Sequence, residues 1–159
     1  MFSWFFLGLK LHIIINDKGE ILTFLLTSGN VDNNRESLKS KRLHEKIFGK
    51  LVGDKGCIGH NLFENLFING IHLITKIRKK MKNCLMYISN KILLRKKALI
   101  ECVNDELKNI CQIEHTRHKS FENFLSNLIS GLIAYSYLEK KPSLKTDIVD
   151  TERVKMIAA

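Results

Sequence analysis

Leu9-Lys10-Leu11-His12-Ile13-Ile14-Ile15-Asn16-Asp17-Lys18-Gly19 places Leu9, Leu11, Ile13 and Ile15 on one face of an extended chain and Lys10, His12 and Ile14 on the other. That period of two marks a strand. Asn16 to Gly19 has turn chemistry, with Gly19 free to take positive φ, and Ile21 to Thr27 returns as a second strand. The segment is therefore expected to be a β-hairpin.

Outward from the hairpin, Ser28 to Asn34 reads as a polar loop and the basic segment through Phe48 as a helix of modest amphipathicity on Leu38, Leu43 and Ile47. A short apolar strand then ends on Val52-Gly53-Asp54-Lys55-Gly56. Asn61 to Asn69 sets Leu62, Phe63, Leu66 and Phe67 on one helical stripe, closed by Gly70, and Ile71 to Ile77 is the next strand. From Lys91 to Ile113 the pattern is one long helix with Ile100, Val103, Leu107 and Ile110 as its buried stripe. Ser120 caps a last helix in which Phe121, Phe124, Leu125, Leu128 and Leu132 face inward, and Pro142 marks its end. Strands alternating with helices predict an α/β domain over residues 1–141, followed by a polar, frayed tail over 142–159.

The 159 residues suit one domain, and 26 Lys and Arg against 16 Asp and Glu give a net charge of +10, which favours a polyanionic partner. Cys57, Cys84, Cys102 and Cys111 form no C-x-x-C pair and no zinc spacing, as in a reduced cytosolic protein. The apolar opening Met1-Phe2-Ser3-Trp4-Phe5-Phe6-Leu7 is interrupted by Lys10 and His12, short of the ~18–20 residues of a membrane span. It has no basic leader and is expected to be neither anchor nor signal. Trp4, Phe5 and Phe6 read as core, with base stacking as the alternative.

Residues 97, 101, 104 and 108 share one helical face, which reads Lys97, Glu101, Asn104, Lys108. A carboxylate between two lysines could hold a metal ion while its neighbours grip phosphates; an ordinary solvated face with i,i+4 charge pairs is the plainer reading. Asp54 alone is turn punctuation, but it follows an apolar strand, and ligands of open α/β sheets gather at the carboxyl ends of strands. The run Lys76, Arg78, Lys79, Lys80, Lys82 is either a solvated surface or a phosphate-contacting one. His115 and His118 sit at i,i+3, but no third ligand is evident and a surface cluster is the simpler account.

Five blocks in order carry a family resemblance: Gly8-Leu9-Lys10-Leu11-His12, Thr27-Ser28-Gly29-Asn30-Val31-Asp32, Gly53-Asp54-Lys55-Gly56, Thr75-Lys76-Ile77-Arg78-Lys79, and Glu101 followed by Lys108. Together, over about residues 4–141, they resemble the DDE transposases of bacterial insertion sequences. The resemblance implies an RNase H-like fold, a mixed sheet flanked by helices. It also implies two metal ions, Mg2+ or Mn2+, held by three acids that cleave a DNA strand and then transfer it. Asp54 resembles the second acid and Glu101 the third; Lys108 matches the lysine seven positions after the glutamate. The family's arginine falls on Lys97, which loses bidentate phosphate geometry. Its tyrosine falls on Leu94, and a common aromatic on Cys57.

No Asp or Glu precedes Asp17, so the first acid and the central strand that bears it are expected to be missing, in an N-terminally truncated domain. Asp17, in the hairpin turn, is expected at the wrong end of the sheet to substitute. The resemblance thus implies a transposase fragment, inactive in isolation, that binds insertion-sequence ends. Its setting would be the nucleoid of a bacterial cytoplasm, off the membrane, with a homodimer possible in the full-length family. Lys97, Lys108, Lys76, Arg78 and Lys79 are the expected DNA contacts, and Asp54 and Glu101 the expected catalytic and metal-binding acids. A non-catalytic basic DNA-binding protein is the alternative, and a membrane-surface protein ranks last.

Overall fold

The computed structural model describes residues 2–6, 8–30, 38, 40–76, 85–95, 97–113, 120–143 and 156–158. Strand β1 (Phe2–Phe6) runs antiparallel to β2 (Leu9–Ile15), which pairs on its other side with β3 (Ile21–Ser28), giving the order β1-β2-β3. The expected hairpin is present. Asn16 builds its turn: its side-chain oxygen accepts from the backbone N–H of Lys18 at 3.0 Å and of Glu20 at 2.9 Å. Gly19 takes φ +74°, a conformation that Gly reaches without a Cβ clash.

Helix α1 (Lys41–His44) leads to β4 (Gly49–Val52), then α2 (His60–Ile68) and β5 (Ile71–Ile74), which pairs in parallel with β4. Strand β6 (Leu85–Tyr87) precedes α3 (Ile88–Arg95), α4 (Ala98–Asn109) and α5 (Phe121–Ser136), and β7 (Met156–Ala158) pairs antiparallel with β6. The fold is thus α/β, but among the described residues its strands form three small sheets where one mixed sheet was expected. Part of the tail expected to fray forms β7.

β2 is buried on both faces. Leu11 and Ile13 pack with Val103 and Leu107 of α4 and with Phe124, Leu128, Leu132 and Tyr135 of α5. Ile14, one residue out of phase, packs instead with Leu43, Leu51, Leu62, Leu66, Ile71 and Leu73. His12, also on that second face and buried, meets the Thr27 hydroxyl at 2.9 Å through Nε2.

Four helical readings are corrected. The expected long helix is two, α3 and α4, with a turn at Lys97 ahead of α4 and no Pro or Gly to signal it. On α4, Ile110 lies beyond the helix end and is exposed, whereas Asn104 of the supposed polar face is buried beside Val103 and Leu107. On α2, Leu62 and Leu66 are buried, but Phe63 and Phe67, about 100° further round, are exposed. Phe121 is likewise exposed at the start of α5, where Ser120 Oγ accepts from Asn123 N–H at 3.3 Å as the expected cap.

The far end of α5 grips the hairpin turn. Tyr135 Oη donates to Gly19 O at 2.7 Å, and a Cβ on Gly19 would collide with Pro142 O. Lys141 Nζ donates to Ser136 O and Leu138 O, each at 2.9 Å, satisfying carbonyls left over at the helix C-terminus.

Candidate functional site

Gly53 and Asp54 follow β4 directly. Gly53 N–H donates to Ile74 O at 2.9 Å, extending the parallel pairing by one step. A side chain there would press on Leu73 Cδ1 at 3.2 Å and Cys57 Cβ at 3.3 Å, so a glycine lets the chain pass this close. Asp54, extended at φ −82° and ψ 165°, then precedes a 3-10 turn over Lys55–Cys57 whose Cys57 N–H donates to Asp54 O at 2.9 Å. Cys57 is fully buried, and burial pushes its thiol above the ordinary 9.0 despite the opposing hydrogen bond from the Asp54 backbone. It serves as core, packed with Leu51, Leu62 and Leu73.

Lys97, at the N-terminal boundary of α4, donates from Nζ to Asp54 Oδ1 at 3.0 Å. The two side chains are 35% and 48% exposed, so the pair sits in screened solvent and contributes only about 0.2–1 kcal/mol. Glu101 follows Lys97 by four residues, about one turn and ~6 Å along the same helix, and is exposed. The helix start is thus brought to Asp54 by direct contact, with Glu101 on the adjoining turn. Lys108, partly buried, lies about 16 Å beyond Lys97 along the axis.

Asp54 and Lys97 line a cavity of about 350 Å3 whose other walls include Asn16, Asp17, Lys50, Leu51, Leu93 and Ile100. Asp17 therefore lines the same cavity as Asp54, whose walls run from Ile47 and Phe48 before β4 to Asp54 after it. The tertiary arrangement brings β2 and β4 together, because Ile14 shares a core with Leu51. Lys76 is exposed two residues beyond the end of β5, as Asp54 is beyond β4, so both leave the same end of that parallel pair. Arg78 and Lys79 lie outside the described residues, as do His115 and His118 and the side chains of Trp4, Phe5 and Phe6.

Sequence reasoning missed Asn16 and Lys50 as cavity residues. Asn16 carried only turn signals, and Lys50 could be placed only once its strand was paired.

A family model described as Transposase DDE domain matches residues 1–121. The chain belongs to the DDE transposase domain family. No curated protein and no solved structure matches it. Membership makes DNA the implied partner and transposition the implied process, in keeping with the excess of Lys and Arg. Among the described residues no helix is long and apolar enough to cross a membrane.

The two-ion centre that the family implies can be tested against the residues present. Among the described residues no group of three or more His, Cys, Asp and Glu could hold a metal ion. Asp54 is engaged by Lys97, and Glu101 stands one turn away. Mg2+ needs near-octahedral oxygen ligation, which one or two carboxylates achieve only with waters and substrate phosphates. The donors described in this DDE transposase domain therefore do not make up a two-ion centre.

Proposed function

We propose that this chain is the catalytic-domain portion of an insertion-sequence transposase with an RNase H-like ancestry. Its Asp54 and Glu101 are retained members of the acidic set for phosphodiester cleavage and strand transfer. Lys97, Lys108, Lys76, Arg78 and Lys79 are its phosphate contacts on insertion-sequence DNA in a bacterial cell. The observation that carries this reading is the 3.0 Å contact of Lys97 with Asp54, which joins the strand end and the helix start that the resemblance pairs. Chemically, Lys97 neutralises Asp54 until a backbone phosphate offers the ammonium a stronger partner, which frees the carboxylate at the place where the phosphate is held.

With the donor set short, the isolated chain binds DNA and cleaves it at most weakly. The test has two parts. Binding to duplex DNA should weaken steeply with salt, with the slope of log K against log[salt] falling by about 0.9 for each phosphate-contacting Lys or Arg removed. Supercoiled plasmid with Mg2+ or Mn2+ should remain essentially intact. Salt-independent binding would end the DNA reading, and robust nicking abolished by both Asp54→Ala and Glu101→Ala would refute the inactivity. The second reading, a basic DNA-binding protein without chemistry, is favoured by the short donor set among the described residues, and it predicts that the Asp54→Ala and Glu101→Ala variants bind as wild type does.

A further inference from the structure

Two exposed phenylalanines on α2 are unused by the reading above. Phe63 and Phe67 are 42% and 63% exposed although Leu62 and Leu66 beside them are buried. Their rings lie nearly parallel, 8° apart with centroids at 6.4 Å, and both are braced edge-on by His72 of β5, at 6.1 and 6.5 Å. His72 is paired in register with Lys50 of β4, and Lys50 lines the cavity that holds Asp54. In-register residues project from the same face of a sheet.

We propose that Phe63 and Phe67, backed by His72, are a stacking platform for unpaired bases of a DNA strand whose backbone passes Lys50 into the Asp54 cavity. The inference rests on the DNA reading given above and adds to it the form of the substrate, single-stranded next to the site. Aromatic faces on a cationic surface are what sequence-tolerant single-strand binding uses, the ring taking the base and the ammonium the phosphate. The occupant is chosen by charge: a chain of net charge +10 presents this surface with Lys50 on the cavity side, while the helix's own acid, Glu64, lies 3.2 Å from His60.

The experiment measures, for the full chain, the affinity for fluorescently labelled oligo(dT) and for a duplex of equal length. It compares wild type with the Phe63→Leu/Phe67→Leu and Phe63→Tyr/Phe67→Tyr double variants, each checked for native circular dichroism. Leucine keeps an apolar surface without a π-face; tyrosine keeps the ring. The expected result is single-strand affinity about tenfold or more weaker in the leucine variant and near wild type in the tyrosine variant, with duplex affinity unchanged in both. Unchanged single-strand binding in the leucine variant overturns the platform while leaving the duplex-binding reading intact. Loss of self-association by sedimentation, without loss of single-strand binding, also overturns it and makes the face a contact between copies.

Discussion

Gly19 joins the hairpin turn to the end of α5, and replacing it with alanine tests that junction quantitatively. At φ +74° an L-residue costs about 1–2 kcal/mol. The added Cβ also meets the backbone oxygen of Pro142, which cannot rotate away as a flexible side-chain tip would. Overpacking of that kind costs about 1–3 kcal/mol, so Gly19→Ala should lose about 2–5 kcal/mol of a total of roughly 5–15. Gly8 is the internal control, because it has φ +76° and open space where a Cβ would go. Gly8→Ala should lose only the backbone component, about 1–2 kcal/mol. Urea unfolding followed by circular dichroism on both variants gives the difference, and thermal midpoints should separate by about 2–4 °C per kcal/mol. Equal losses at the two glycines would refute the packing of Pro142 on the turn, and with it the bracing of the cavity wall that carries Asn16 and Asp17.

Two further predictions concern the same junction. Tyr135→Phe removes the hydroxyl that donates to Gly19 O, and should cost about 1–2 kcal/mol in urea unfolding; burial, then the nearby Glu106 carboxylate, holds that phenol protonated and donating through the working range of pH, so a loss within error would refute the bond. Glu106 has an enclosed Oε2 with no hydrogen-bond partner among the described residues, and burial raises its carboxyl above the ordinary 4.5 against the opposing pull of Lys141. A raised folded-state value means that the protonated form favours folding: the contribution is present below about pH 4.5 and lost as pH climbs through the folded value. Glu106→Gln should therefore be at least as stable as wild type at pH 7, with the advantage vanishing at pH 4. A variant less stable at pH 7 would refute it.

Much of the chain could be read locally. The hairpin over Leu9–Ser28, the strand before Asp54, Gly70 at positive φ after α2 and the Ser120 cap all follow from alternation, turn residues and capping chemistry within a few positions of one another. What failed depended on distant partners. Nothing between Ile88 and Asn109 announces the break before α4, because no Pro or Gly stands there. Asn104 is buried and Phe63 and Phe67 exposed against their types, because burial depends on which neighbours arrive.

The candidate site divides in the same way. Sequence by itself determined that an acid follows an apolar strand at Asp54, that Lys97 and Glu101 share a helical face, and that cations dominate, since each is a matter of order, period or composition. Only the tertiary structure decided that Lys97 reaches Asp54, that Asp17 and Lys50 open onto the same cavity, and that the described acids fall short of a two-ion centre. The physical reason is that helical and strand periods set the direction of a side chain about its own axis, whereas the meeting of two elements is set by the cores between them. Here those cores form on both faces of β2.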